Sequence, residues 1–478
     1  MTTNIVAKNK TKILPPSLLN NPSWDVIVTR LNPLLSFFNA DGGPKQRAYE
    51  IQLDTSKNFT SKDKVVYKKV KQGEPYVTDK KVDKADMLKD NQRYYWRVRT
   101  VTDSGKSKWA TSRFTVDTKS DTAFMDMVRV PVKKIEVSNG YNSKNIIDWD
   151  DPGLLTFWQS PPPGDKEQWV KFDLGKSTEI SRAWILSNFN DPTGWLKDFV
   201  LQSSTDGEKW RAIKGTATKN NRSYRNILNF KPVKARYFRL LISSFIGYAA
   251  QVNEMILYSP GQPPVPKVPK EDYVLIIGNE HNGFTFTDLA KYVEALPGKL
   301  KTVTVPCYEA SMKMLQSLSR RPVAIILSGN NADYPDLPMF EYNGEFEIIR
   351  KTNLPMLGIC AGHQYLAMAY GYTRARSMGW FDDSAMTSQK KLTRVKINKP
   401  DPIFKGMSKD FTAPEVHSWA VAEPAEEFVQ MASSTYLQVQ KSTKRFIYGL
   451  QFHPEIDVSY NHGKKVLENF LEMALERE

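Results

Sequence analysis

The sequence predicts a multidomain protein in which two all-β sandwiches precede an α/β domain built on a parallel sheet. Three observations predict it. The chain has 478 residues, enough for about three domains at ~100–200 residues each. Short alternating runs rich in Val, Tyr, Phe, Trp and Thr, divided by turn signals such as Ala40-Asp-Gly-Gly-Pro, Asp103-Ser-Gly and Asp206-Gly, fill the first part. Beyond the proline-rich segment Pro260-Gly-Gln-Pro-Pro-Val-Pro-Lys-Val-Pro-Lys270, continuous apolar runs alternate with helix-like stretches.

Composition narrows the function classes. A hydrophobic content of 40%, 12% aromatics and a mean hydropathy of -0.48 exclude wholesale disorder. No apolar run approaches the ~18 residues that cross a bilayer. Two cysteines, Cys307 and Cys360, cannot build a disulfide framework, which leaves the redox compartment open. The net charge of +15 is unevenly placed: residues 1–271 carry 44 Lys+Arg against 28 Asp+Glu, and residues 272–478 carry 23 against 24. The lysines of the basic part are scattered through strand-like segments without a stripe of stacking aromatics, so a solvated surface is favoured over a nucleic-acid partner. Both cysteines and all five histidines (His281, His363, His417, His453, His462) fall after residue 272, where proton transfer or thiolate chemistry is therefore expected.

Taken in order, residues 1–23 form an N-terminal extension with basic residues but no apolar core of 7–15 residues, so it does not read as a signal peptide. Residues 24–118 form the first sandwich, where Tyr94-Tyr-Trp-Arg-Val-Arg-Thr alternates between a core face and a wet face. Residues 119–260 form the second, with the same alternation in Trp169-Val-Lys-Phe-Asp-Leu. Residues 261–271 are a linker whose prolines favour an extended spacer of about 30 Å at ~3.1 Å per residue. Residues 272–478 alternate strands (Tyr273-Val-Leu-Ile-Ile-Gly, Thr302-Val-Thr-Val, Val323-Ala-Ile-Ile-Leu-Ser, Leu354-Pro-Met-Leu-Gly-Ile) with helices near 286–296 and 340–351. That pattern predicts a sheet covered on both faces, with its ligand site at the carboxyl ends of the strands.

Family resemblance refines both sandwiches. Leu35-Ser-Phe-Phe, Ala48-Tyr-Glu-Ile-Gln-Leu and Tyr94-Tyr-Trp-Arg-Val-Arg resemble a fibronectin type III domain. Ile147-Asp-Trp-Asp-Asp, Thr156-Phe-Trp158, Trp169-Val-Lys-Phe-Asp-Leu-Gly, Phe199-Val-Leu-Gln-Ser-Ser-Thr-Asp-Gly-Glu-Lys-Trp210, Ala235-Arg-Tyr-Phe-Arg-Leu and Val252-Asn-Glu-Met-Ile-Leu-Tyr resemble a discoidin-type (coagulation-factor C-type) jelly roll. Members of that family often bind carbohydrate or lipid head groups. The resemblance implies a structural Ca2+ at Asp148, Asp151, Thr156 and Glu254, for which oxygen donors are suited; acidic turn residues can equally be turn formers. It also implies sugar recognition by exposed loop aromatics, with Trp195, Phe245 and Tyr248 as candidates beside the alternative that they are core.

The segment that carries chemistry is Leu357-Gly-Ile-Cys-Ala-Gly-His-Gln364. An apolar strand meets a helix through Gly358-Ile-Cys360-Ala-Gly362, the G-x-nucleophile-x-G pattern of a sharp turn with cysteine as nucleophile. Its glycines permit the tight turn, and the helix aims free N–H groups and its positive end at the sulfur. Tyr448-Gly-Leu-Gln-Phe-His453-Pro-Glu455 supplies a proton shuttle in His453 and a carboxylate in Glu455 to orient it.

Together these motifs resemble the class I glutamine amidotransferases, over residues 272–478 with a flavodoxin-like α/β fold. The resemblance implies that Cys360 attacks the glutamine side-chain amide, that His453 protonates departing ammonia and then activates water, and that Glu455 orients His453. It implies a γ-glutamyl thioester, no cofactor, and an oxyanion held by the N–H of Ala361 and one from the loop containing Gly329 and Asn330. It makes Gln364, Ser418 and Trp419 candidates for recognising glutamine. The loop has Asn330 where many relatives have glycine, and Ala375-Arg-Ser-Met-Gly-Trp departs from the common family sequence. Cys307 is expected to pack, His363 to pack or cap within the elbow helix, His417 to neighbour the substrate, and His281 and His462 to ligate no metal.

The function expected is an amidohydrolase acting on glutamine or a γ-glutamyl amide, tethered to a carbohydrate-binding module. Two alternatives stay open: a γ-glutamyl peptidase, and a glycan-binding or adhesive protein with an inactive amidotransferase-like scaffold. Within these residues no ammonia-accepting segment is recognisable. The modular plan resembles bacterial surface or periplasmic glycan-active proteins, which implies export with a signal outside this sequence; a cytoplasmic location and any oligomeric state are left open.

Overall fold

The computed structural model describes residues 17–21, 26–28, 31–38, 48–72, 77–89, 92–116, 127–147, 156–161, 167–187, 193–221, 225–280, 286–296, 298, 300–330, 337–369, 375–377, 392–417, 419–421, 424, 427–434 and 436–477. In the first sandwich a six-stranded sheet is centred on Gln92–Thr102, which pairs with Ala48–Asp54 on one side and Ala110–Val116 on the other. Tyr94, Trp96 and Val98 alternate into a core with Tyr49, Phe37 and Phe114. The opposite face is wet, and there the Arg97 and Arg99 guanidiniums lie over the Trp109 ring at 4.4 and 4.1 Å.

The second sandwich is organised by two long strands, Gln168–Leu186 and Arg225–Phe245, which run antiparallel through a seven-stranded sheet. Their pairing is interrupted after Asp173, where Gly175 takes φ +76 and a side chain would collide with Lys133. Beneath them Trp158, Phe172, Phe238 and Leu240 form the core.

The α/β domain carries a nine-stranded mixed sheet. Lys301–Pro306, Tyr273–Gly278, Ala324–Leu327, Met356–Ile359 and Ile447–Leu450 lie side by side and parallel. Beyond Ile447–Leu450 the sheet continues antiparallel through Leu437–Ser442, Phe428–Ser433, Leu392–Ile397 and Asp410–Pro414. The expected parallel sheet is thus present and extended by a second, antiparallel half. Tyr273, Leu275 and Ile277 face the layer of helices 343–351 and 361–369, whereas Val274 and Ile276 face helices 286–295 and 464–475. Burial on both faces explains why the strand is apolar without interruption, at about 1.5–3 kcal/mol for each fully buried side chain.

The second sandwich lies against the α/β domain, with Trp184, Leu186, Ile256 and Tyr258 packed on Phe340. No helix among the described residues is long and apolar enough to cross a membrane.

Candidate functional site

Strand Met356–Ile359 ends in Cys360, which takes φ +50 before helix Ala361–Ala369 begins. A left-handed backbone at a residue with a side chain costs on the order of 1–3 kcal/mol and persists only where its surroundings enforce it. Here Cys360 N–H donates to Leu450 O at 2.7 Å, Gly362 N–H to Ser328 O at 3.1 Å, and Gln364 N–H closes the first helical turn on Cys360 O at 3.1 Å. Ala361 heads the helix, so its N–H has no intrahelical acceptor and belongs to the end that favours an anion.

Strand Ile447–Leu450 is the parallel neighbour of Met356–Ile359, with Leu450 opposite Ile359. The residues after each strand therefore emerge at one sheet end, which brings His453 beside Cys360. His453 Nδ1 and Glu455 Oε1 are 2.7 Å apart, both side chains largely buried. Asn461 pins this turn by donating Nδ2 to the carbonyls of His453, Pro454 and Ile456 at 3.1, 3.2 and 2.8 Å. Burial alone pushes the His453 ring toward its neutral form, but the Glu455 carboxylate and the Cys360 sulfur outweigh it and hold the pKa well above the ordinary histidine value. Nε2 has no nitrogen or oxygen partner among the described residues, and its neighbour is that sulfur.

Gly329 lies against both groups: a Cβ there would sit 3.1 Å from His453 Cε1 and 3.6 Å from Cys360 Cβ. Its carbonyl accepts from Ser328 Oγ at 3.0 Å, and Ser328 O accepts from Asn279 Nδ2 at 2.9 Å. Because a trans peptide points its N–H opposite its carbonyl, the Asn330 N–H is turned away from Ser328 Oγ. Asn330 Nδ2 donates to Tyr342 OH at 2.9 Å and to Tyr365 OH at 3.2 Å. These partners, together with Asn279, Gln451 and Asn461, went unnoticed in the sequence, where isolated polar residues carry no periodic signal.

Around the sulfur, Cys360 Sγ donates to Val416 O at 3.7 Å and accepts from Gln451 Nε2 at 3.9 Å, while Gln451 Oε1 accepts from Gln364 Nε2 at 3.2 Å. Cys360 is 3% exposed and Val416, beside it, 38%, which marks the side from which the sulfur is reached. Ser418 and the Trp419 side chain lie outside the described residues, as do His281 and Trp380. His417, next to Val416, sets Nε2 3.7 Å from Glu415 Oε1. His363 is fully buried within the elbow helix and held by Gln440; burial, with His417 nearby, pushes its pKa down to about 3. Cys307 lies in the core, and the exposed His462 ring meets Thr412 Oγ1 at 2.9 Å.

Behind the Ser328 loop, Glu345 is fully buried, with Oε1 3.4 Å from Asn279 Nδ2 and Oε2 without a hydrogen-bond partner. Burial raises its pKa from 4.5 to about 8, against the smaller opposing effect of Asn279. The folded state therefore binds a proton that the unfolded chain has released, so stability is greatest below pH 4.5 and this contribution is lost as pH rises to about 8. Ionising Glu345 costs on the order of 3 kcal/mol at pH 7. Urea unfolding at pH 5 and pH 8 should show wild type losing stability relative to Glu345→Gln; parallel changes in the two proteins would remove Glu345 as the cause.

In the second sandwich, pairing of Leu196 with Phe245 and the 2.8 Å bond from Ile246 N to Trp195 O bring Trp195 and Phe245 to one loop end. Both are half-buried, and Tyr248 close by is 50% exposed. Of the oxygen donors considered for Ca2+, Asp148 and Asp151 lie outside the described residues, Thr156 is half-buried and Glu254 fully buried. Among the described residues no group of three or more His, Cys, Asp or Glu is arranged to hold a metal ion.

Comparison with known proteins adds three family matches. Residues 287–474 match the glutamine amidotransferase class-I family, 131–255 the F5/8 type C domain, and 25–117 the Rha78A-like, N-terminal immunoglobulin domain, an immunoglobulin-type counterpart of the expected fibronectin sandwich. The glutamine-hydrolyzing subunit of GMP synthase from Methanocaldococcus jannaschii is 34% identical over 152 residues, 31% of this chain and 73% of that one. Its counterpart from Methanothermobacter thermautotrophicus is 29% identical over 207 residues, 42% of this chain and 98% of that one. A solved Clostridium perfringens structure in complex with GalNAc-beta-1,3-galactose aligns with a TM-score of 0.25 and 22% identity, covering 27% of this chain and 99% of that one.

Proposed function

Because the chain belongs to the class I glutamine amidotransferase family, we propose that it is an amidohydrolase that releases ammonia from glutamine or a γ-glutamyl amide. One observation carries the reading: a cysteine at φ +50 on a strand-to-helix turn has for its neighbour a histidine whose other nitrogen is 2.7 Å from a carboxylate. His453 takes the thiol proton as Sγ attacks the amide carbon, and Ala361 N–H with the Asn330 loop meets the oxyanion. The C–N bond breaks as His453 returns the proton to nitrogen, leaving a γ-glutamyl thioester and ammonia. Water then gives its proton to His453, attacks the thioester and releases glutamate as the thiol is re-formed. Gln364, Ser418 and Trp419 are proposed to recognise the substrate, and the 3.2 Å contact of Gln364 with Gln451 supports a site for the first of them next to the sulfur.

The discoidin-type domain is proposed to hold the enzyme at a glycan outside the cell through Trp195, Phe245 and Tyr248, with Ca2+ at Asp148, Asp151, Thr156 and Glu254 as a structural ion. Convergence of Trp195 and Phe245 near the exposed Tyr248 supports the sugar site. Glycan-array binding lost on adding Tyr248→Ala is the expected result there.

The test of the enzyme is ammonia release from glutamine and from γ-glutamyl peptides, with mass analysis after a glutamine-analogue electrophile. Turnover of glutamine with an adduct on Cys360 is expected. Turnover of the peptides alone would turn the reading to a peptidase, and neither turnover nor adduct would leave only a binding protein.

A further inference from the structure

We infer that the buried contact between the second sandwich and the α/β domain positions the loop carrying Gly329 and Asn330, with Glu341 as the anchor and Tyr342 as the lever. The inference rests on the amidohydrolase reading and adds positioning residues to it. Glu341 is almost wholly buried, and two groups of the sandwich hold its carboxylate. Arg129 Nε donates to Oε1 at 2.7 Å while Arg129 Nη2 donates to Oε2, and Tyr258 OH donates to Oε1 at 2.6 Å. Arg129 and Tyr258 are direct partners across paired strands, so they present one rigid recognition face. The Arg129 guanidinium also lies 3.9 Å from the Tyr308 ring, and the Tyr258 ring meets Phe340 at 5.6 Å. A carboxylate taken out of water persists only with partners of this kind, so Glu341 has a single docked position.

The next residue reaches the candidate site. Tyr342 OH donates to Asn279 O at 3.1 Å and accepts from Asn330 Nδ2 at 2.9 Å, and its ring packs 4.8 Å from that of Tyr365 on the elbow helix. Glu341 and Tyr342 share the single 3-10 turn Met339–Tyr342, so adjacent Cα atoms ~3.8 Å apart leave no slack between anchor and lever. The strand Val26–Val28 of the first sandwich lies beside the same turn. Close-packed interiors transmit such displacements rather than absorbing them. Asn330 thereby gains a physical role: its amide is the handle by which Tyr342 and Tyr365 hold the loop.

An oxyanion donor must match a position reached only in the transition state, so displacing the loop should lower kcat more than it changes KM. Alkylation of Cys360 by iodoacetamide develops no oxyanion and should not respond. The full chain is compared with Tyr342→Phe, which deletes one buried oxygen, with Arg129→Met, and with Arg129→Met/Glu341→Met, which replaces the ion pair by apolar groups. The expected result is a kcat for glutamine about 10-fold lower in the first two, with KM within about 2-fold and wild-type alkylation rates. Amide exchange at residues 327–330 should quicken in both, and the double variant should recover kcat to within about 3-fold of wild type. Wild-type kcat and exchange in Tyr342→Phe and Arg129→Met would overturn the inference, as would alkylation falling in step with kcat. Should Arg129→Met not fold, Tyr342→Phe decides alone. If wild type turns over no glutamine, the amidohydrolase reading fails by that result, and exchange at 327–330 still decides whether dock and loop are coupled.

Discussion

Replacing Cys360 or His453 by alanine should lower ammonia release from glutamine by about 10⁴–10⁶-fold, and Glu455→Gln by about 10³–10⁴-fold, with KM for glutamine little changed. The first two variants remove groups between which a bond or a proton must pass, and no neighbour can replace them. Gln451, which touches the sulfur at 3.9 Å, offers only an amide, and His363 is buried, neutral and tied to Gln440. The Glu455 variant is milder for a structural reason. Asn461 holds the backbone of the His453 turn through three carbonyls whether or not the carboxylate is charged, so the ring keeps its place and loses chiefly its tautomer and the support of its positive charge. A loss of 10⁴-fold is about 5.5 kcal/mol of transition-state stabilisation. Steady-state ammonia assays on the variants measure it; a Cys360→Ala protein that retains turnover within 10-fold of wild type would remove the thioester route.

What could be read from the chain depended on whether the physics was local. The uninterrupted run from Tyr273 to Ile277 announces a strand buried on both faces, because neither face needs a polar residue. The turn at Cys360 is legible because small residues flank one nucleophile between an apolar strand and a helix, and the two-residue spacing of His453 and Glu455 lets ring and carboxylate meet in a single turn. The antiparallel half of the sheet was harder. Leu392-Thr-Arg-Val-Lys-Ile alternates like any half-wet strand, and nothing in it says which sheet it joins. The contacts of Asn330 were not legible at all, since Tyr342 and Tyr365 are 12 and 35 residues away and look like ordinary core aromatics. The same holds for Glu341, one carboxylate among many until Arg129, 212 residues earlier, folds onto it.

Gly362→Ala should fold with reduced stability, by about 1–3 kcal/mol, and lose turnover by at least about 100-fold. Gly362 sits in the first turn of the elbow helix, and a Cβ there would lie 2.3 Å from Leu327 O and 2.7 Å from Leu327 Cβ. Neither contact can yield by rotating a flexible side chain. Leu327 is fully buried at the end of a strand paired on both sides, with Tyr273–Gly278 and with Met356–Ile359. The added methyl must therefore push the helix from the strand, stretching the 3.1 Å bond from Gly362 N to Ser328 O that ties Cys360's helix to the loop of Gly329 and Asn330. The two candidate oxyanion donors, Ala361 N–H and the loop N–H, stand on opposite sides of that bond, so their separation changes even if each element keeps its own shape. The core itself has little reason to fail, because the strands and the layer of helix 464–475 on the far face lie beyond the strain. Urea unfolding separates the two effects when kcat is measured on protein shown to be folded, and near-wild-type kcat in such a protein would show that the spacing of helix and loop does not govern the reaction.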